Sequence, residues 1–269
     1  CENNLQHKVI FATSLYNAEN EYAKWTDNPN FRTVYYPEWY HRVYDNLIDY
    51  NLHRIKYDRT NYFCCLNNRP HPHRLQTVTY MDYLGILDKG IVTCLDRQYE
   101  THQTVPTMYD KIVLSYSNFT NINITASETV EDFSRGSRPH DYNKLIYQES
   151  LINVVTETHY EPHWNKHHHV FLSEKTWKPI ICKQAFIIIG PRHTLKYLKE
   201  LGFKTFDHLW DESYDDADQE KRLYKAVNSL YNTISNYSLE ELQRATLDVR
   251  KHNYKHFKSI KESMIKTCW

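Results

Sequence analysis

Glycine is scarce, with five among 269 residues. Turns that bring a backbone against a phosphate rely on glycines at fixed spacing. Neither G-x-G-x-x-G nor G-x-x-x-x-G-K occurs, which excludes a nicotinamide-type Rossmann fingerprint and a P-loop. If phosphates are bound, side chains and a helix start must do more of the work. Long apolar runs are missing too. Nothing approaches the roughly 18 apolar residues that read as a membrane-spanning helix, so no membrane span is expected. No basic stretch followed by an apolar core opens the chain, so no signal peptide is read and a cytoplasmic setting is expected. Net charge is absent, with 33 Lys and Arg against 33 Asp and Glu. The total therefore does not advertise a nucleic-acid binder, although a local basic face and a DNA acceptor stay open. The six cysteines form no C-x-x-C pair, and Cys64, Cys65 and Cys182 sit in apolar runs. They read as buried thiols of a reducing compartment.

What remains is an ordinary globular composition, 41% hydrophobic and 25% charged, with an unusual 23 tyrosines. The length suits one large domain or two small ones. Short apolar runs at 9–13, 62–66, 91–94, 151–156 and 185–189 read as strands, with 111–114 and 203–206 as weaker ones. Between them, 39–48, 73–84, 143–150, 174–182 and 194–201 suit helices. Leu223, Val227, Leu230 and Ile234 form the stripe of a packed helix, and Ser238 with Glu241 a capping box opening the last one. Alternation at this spacing predicts an α/β fold with a mainly parallel sheet flanked by helices. Ligands of such sheets bind beyond the carboxyl ends of the strands.

The most informative stretch is Phe171-Leu172-Ser173-Glu174-Lys175-Thr176-Trp177-Lys178-Pro179-Ile180, which runs on to Gly190. Ser173 suits an N-cap, placing Glu174 and Lys175 in the first helical turn. Unpaired N–H groups and the helix dipole make that turn an anion site. Lys175 adds a formal charge, and Glu174 offers two acceptor oxygens to a pair of hydroxyls. A nucleotide or nucleotide-sugar, with phosphates beside a diol, satisfies both residues. The plainer alternative is a well-capped surface helix whose charges meet only water.

This segment resembles the donor-binding motif of α-1,3-fucosyltransferases, in which a Thr/Ser-Glu-Lys helix start precedes a short strand of the type P-I-x-x-G. It is closer still to glycosyltransferase-like proteins of phages and giant viruses that carry Phe-Leu-Ser/Thr-Glu-Lys-Thr-x-Lys-Pro. The resemblance implies a GT-B-like architecture, with a reduced N-terminal acceptor-side region over 1–59. Residues 60–269 would form the donor-binding α/β domain with C-terminal helices. It assigns the donor pyrophosphate to Lys175 and the ribose to Glu174, with Ser173 at their helix start. It also implies a transfer that needs no metal or other cofactor. A glycan is the implied acceptor. A viral origin would place the protein in the host cytoplasm and permit a hydroxymethylated base in DNA instead.

Two further segments fit the same picture. Cys65 to Arg74 leaves a strand, turns on two prolines and delivers Arg69, His73 and Arg74 near a helix start. A guanidinium holds phosphate bidentately at any working pH, and the resemblance favours Arg74 over Arg69 for the pyrophosphate. Read alone, the segment is a proline-stiffened surface loop. Val154 to Thr158 resembles a strand ending beside the donor, with Glu157 in its acidic position, but Thr156 and Thr158 replace the usual Phe and Asn. The acceptor hydroxyl needs a base, which the resemblance places in the N-terminal part. Glu38, among Tyr35, Tyr36, Trp39 and Tyr40, is the candidate, against the alternative of an aromatic core strip with one exposed acid. The histidines at 159, 163 and 167–169 read as a variable loop rather than a metal site. The acidic run from Asp207 to Asp218 reads as a solvated face and helix N-terminal charge.

Overall fold

A computed structural model describes residues 9–16, 31–47, 56–67, 71–94, 144–160, 170–261 and 263. The first elements are strands β1 (Val9–Thr13), β2 (Leu15–Tyr16) and β3 (Phe31–Tyr35), then helix α1 (Glu38–Leu47). Strand β4 (Asn61–Asn67), helix α2 (Pro72–Tyr83), strand β5 (Gly90–Cys94), helix α3 (Lys144–Glu149) and strand β6 (Ser150–Thr156) follow. The chain continues through β7 (Val170–Phe171), α4 (Glu174–Ile181), β8 (Ala185–Ile189) and α5 (Thr194–Glu200). It closes with the long helices α6 (Gln219–Asn236) and α7 (Leu239–Ser259).

Four strands form one parallel sheet in the order β5-β4-β6-β8. Pairing is fixed by Phe63 opposite both Gly90 and Ile152, and by Thr156 opposite Ile189. Every residue of β6 and β8 is buried, as expected of strands covered on both faces, whose sequences are near-continuous apolar runs. The fold is therefore α/β, with a mainly parallel, Rossmann-like sheet flanked by helices. The chain steps from β4 outward to β5, then returns past β4 to β6. Between the carboxyl ends of β4 and β6 lies the switch point, where such sheets open a crevice.

Strands β1 and β3 form a separate parallel pair, and β2 pairs antiparallel with β7. Only Ser14 separates β1 from β2, and only Leu172 separates β7 from Ser173. The carboxyl end of the N-terminal pair is thus tied to the start of α4. Helix α1 is held by Tyr40, fully buried, whose ring meets Trp177 edge-on and whose hydroxyl donates to the Phe257 carbonyl at 2.5 Å. Tyr40 and Val43 belong to the same buried cluster as the central strands.

At the amino ends of the sheet, Arg59 and Arg250 replace missing helix partners. Arg59 donates to the carbonyls of Gln148, Cys182 and Lys183 at 3.1, 2.9 and 3.1 Å. Arg250 donates to those of Tyr57, Lys183 and Gln243. The carbonyls ending α3 and α4 thereby find charged donors where the helix dipole is negative.

One expected strand does not form: 203–206 has no regular structure and pairs with no strand among the described residues. The Lys204 N–H and carbonyl are both taken by the Asn253 amide, and the Phe206 N–H by Glu212. Side chains have replaced the ladder. The acidic run also faces inward more than expected. The Asp215 carboxylate accepts the N–H groups of Leu195 and Lys196 at the start of α5, and Glu212 accepts Thr205 and Phe206. Burial pushes both carboxyls up. The segment 111–114, Arg69, and the histidines at 163 and 167–169 lie outside the described residues. No described helix is long and apolar enough to cross a membrane.

Candidate functional site

The switch point is built around one carboxylate. Glu157 follows β6 and is fully buried. Its Oε1 accepts the Ser173 N–H at 3.1 Å and the Thr176 hydroxyl at 2.6 Å. Its Oε2 accepts the Ser173 hydroxyl at 2.6 Å and the Thr158 N–H at 2.8 Å. Four donors occupy both oxygens. This departs from the expected role of Glu157 as a ligand contact, because the carboxylate is consumed in fixing the start of α4. An acid at a helix N-terminus is also favoured by the dipole. Gly190 belongs to the same arrangement: a Cβ there would come within 3.2 Å of the Glu157 side chain.

Ser173 is the N-cap, with its hydroxyl accepting the Lys175 N–H at 3.3 Å. It is buried, with its hydroxyl given to Glu157 and the helix, so it shapes the site from beneath. Glu174 and Lys175 open α4 as expected. The Lys175 ammonium donates to Glu174 Oε1 at 2.6 Å and to the Thr158 hydroxyl at 3.1 Å. The side chains of Glu174 and Lys175 are 8% and 29% exposed, so the pair lies folded over the switch point rather than in bulk water. Burial pushes the Glu174 carboxyl up, but Lys175 and Lys178 outweigh it and hold the group below the ordinary carboxylate range.

The segment after β4 reaches the same place. Pro72 opens α2, where a missing N–H costs nothing. His73 Nε2 lies 2.9 Å from the Glu157 carbonyl, so that nitrogen carries the proton. Its ring stacks on Tyr160 at 5.2 Å and on His71 at 6.0 Å. Burial, then the Arg74 guanidinium, with His71 and Lys175 adding to them, hold His73 well below the ordinary imidazole value. The charges of Arg74 and Lys175 thus act on one buried ring. Arg74 is itself 4% exposed, so its charge lies beneath the surface rather than in an open loop. At the strand ends, the Thr156 hydroxyl donates to Asn67 Oδ1 at 2.6 Å, locking β4 to β6 across the crevice.

Glu38 stands apart. It opens α1 beyond the carboxyl end of β3, is 41% exposed and pairs with Arg42 at 2.5 Å. Sequence reasoning missed Thr158 as the partner of Lys175, and Tyr160. The Tyr160 hydroxyl donates to the Gln219 carbonyl at 2.5 Å, accepts the Leu223 N–H, and its ring lies under Arg222. The position of Thr158, next to the strand-ending acid, was the only local signal for it. The two described cavities, about 370 and 680 Å³, line α6 and α5 and do not include these residues.

The histidines give the site a pH signature. Burial lowers His41 and His159 as well as His73, and His41 Nε2 has no hydrogen-bond partner among the described residues. An imidazole lowered in the folded state leaves stability intact above its unfolded value of about 6.5, and stability is lost as pH falls below it. The raised Glu212 and Asp215 act with the opposite sign, from a carboxylate range that starts lower. The melting temperature should therefore fall between about pH 7.5 and 5.5; a flat profile would contradict the buried, neutral imidazoles.

Nothing in this arrangement gathers three metal-binding groups among the described residues. No family model, curated protein or solved structure matches the chain.

Proposed function

We propose that the protein is a glycosyltransferase of GT-B-like architecture, moving a sugar from a nucleotide-diphosphate donor to an acceptor hydroxyl. The observation that carries this reading is the meeting of two helix starts at the switch point: α4 with Glu174 and Lys175, and α2 with His73 and Arg74, joined through Glu157 and Thr158. Helix N-termini and basic side chains in such a crevice suit a diphosphate. Lys175 would bond the phosphates directly. Arg74 would add charge from below, and Glu174 would accept the ribose hydroxyls.

In the reaction, the bond from the sugar C1 to the diphosphate breaks as the acceptor oxygen bonds to C1. The departing diphosphate gains charge, which Lys175 and Arg74 would stabilise. The acceptor proton would pass to Glu38, whose helix begins on the side of β1 and β3 that β2 ties to the donor helix. Exchange of Glu38 for Gln is expected to leave donor affinity unchanged and to lower turnover by about 100-fold or more. A fully active variant would remove it as the base. The acceptor is proposed as a glycan, or a hydroxymethylated base in viral DNA.

A second reading has its own support. Glu38 is already paired with Arg42 and Glu157 is fully engaged, which fits a nucleotide-sugar or glycan-binding module without turnover. A melting-temperature screen against GDP, UDP, ADP and CMP, with their sugars, tests both, since a ligand of the native state raises the midpoint by mass action. Release of nucleoside diphosphate from the sugar that shifts it then separates enzyme from binder.

A further inference from the structure

The amino ends of the parallel strands carry a second concentration of charge, on the opposite edge of the sheet from Lys175. Lys183 lies just ahead of β8, with its Nζ 4.8 Å from the Tyr254 ring and 5.1 Å from the Tyr57 ring. Arg250 and Lys251 approach Tyr57 at 5.6 and 5.9 Å, and Lys258 approaches Tyr254 at 5.6 Å. Arg59 and Arg250 both donate to the Lys183 carbonyl. Lys56 and Lys255 extend the patch, and Lys56, Lys251, Lys255 and Lys258 are all exposed.

In a chain of zero net charge, this face carries an excess of cations. Among the described residues, none of those four lysines pairs with a carboxylate. Asp248 lies one turn before Lys251 on α7, and Asp58 lies beside Lys56 and acts on Arg59 and Arg250, so the four exposed lysines outnumber these two exposed acids. Lysines near a helix C-terminus are favoured by its dipole, which accounts for Lys255 and Lys258. It does not account for Lys56, ahead of β4, whereas Arg59 and Lys183 are buried at the end of α4, where the same dipole accounts for them. Lys183 itself is lowered by burial first, then by Arg59, with Lys258 adding to them. Among the described residues, none of the exposed large apolar side chains, Tyr36, Tyr83, Tyr224, Tyr231 and Tyr237, belongs to the rings that meet these cations, which are Tyr57 and Tyr254.

We infer that this face binds the phosphodiester backbone of a nucleic acid without sequence preference. Flexible lysine stems supply point charges to successive phosphates, and the two guanidiniums, Arg59 and Arg250, are buried and given to backbone carbonyls, so neither is presented to a guanine edge. The central strands, five to seven residues long, place the patch roughly 16–23 Å from the donor crevice. Nucleic acid held here tethers the protein rather than presenting a base to Lys175. The inference stands independently of the proposed sugar transfer.

Fluorescence anisotropy of the full chain with labelled ~20-nucleotide single strands and ~20-base-pair duplexes tests it. Binding is expected at about 50 mM salt, with a log–log salt slope near −3 if four lysines each displace counterions. Reversing Lys251, Lys255 and Lys258 to Glu should weaken binding by about 30-fold or more, with the melting temperature lowered but the chain still folded at the assay temperature. Lys56→Glu, on a separate segment, should flatten the slope by about one. No oligonucleotide binding, salt-independent binding, or an unaffected triple variant would overturn the inference. So would binding only to phosphatidylserine vesicles.

Discussion

Replacing Glu157 by Ala is expected to lower the free energy of unfolding by about 3–5 kcal/mol, because several buried donors lose one shared acceptor. The carboxylate is fully buried and serves four donors, two of them on Ser173 and one on Thr176. Alanine would leave those donors without an acceptor, each costing about 1–3 kcal/mol if water cannot enter. It would also open space beside Gly190, whose backbone packs against the Glu157 methylenes. A glutamine side chain keeps the shape and one acceptor oxygen but turns an amide N–H₂ toward donors, so Glu157→Gln should fall between wild type and Glu157→Ala. Urea denaturation of the three proteins measures the difference. A loss below about 1 kcal/mol for the alanine variant would mean that Glu157 is not the anchor of α4.

Replacing Lys175 by Ala should have the opposite profile, with a small effect on stability and a large one on ligand binding. The ammonium is partly exposed, and its ion pair is formed with its own neighbour, Glu174. Lys178 also acts on the Glu174 carboxyl, so the buried acid keeps a cation nearby. A charged hydrogen bond to phosphate is worth about 1.5–3 kcal/mol, which corresponds to roughly a 10- to 150-fold loss of affinity for the nucleoside diphosphate. Titration calorimetry of wild type and Lys175→Ala with the same nucleotide measures it. An unchanged dissociation constant would remove Lys175 from the phosphate site.

Much of the scaffold was legible because its signals are local. The runs of β6 and β8 are apolar with little interruption, and the resulting strands are buried throughout. Ser173 and the Ser238–Glu241 box announce helix starts by chemistry within four residues, and both caps form. The two-residue strands β2 and β7 carry no period at all, so nothing in sequence links 15–16 to 170–171. Phe203 to Phe206 has the apolar pattern of an edge strand, but its backbone groups go to Asn253 and Glu212, partners that no local pattern names. The same limit applies at the site. Glu174 and Lys175 were readable as a charged helix start, whereas the employment of Glu157 depends on its meeting Ser173 and Thr176 across an intervening segment. The burial of Arg74 and its pressure on His73 likewise follow from packing, not spacing.

The central claim is that two phosphates, rather than a nucleoside or a lone phosphate, are recognised where α4 and α2 begin. Calorimetric titration of the wild-type chain with matched mono- and diphosphates of guanosine, uridine and adenosine addresses it most directly. One base should give saturable binding near one per chain, and deleting its β-phosphate should weaken that binding by about tenfold or more. Absence of heat with every diphosphate, or equal affinity for the matched mono- and diphosphate, would contradict it.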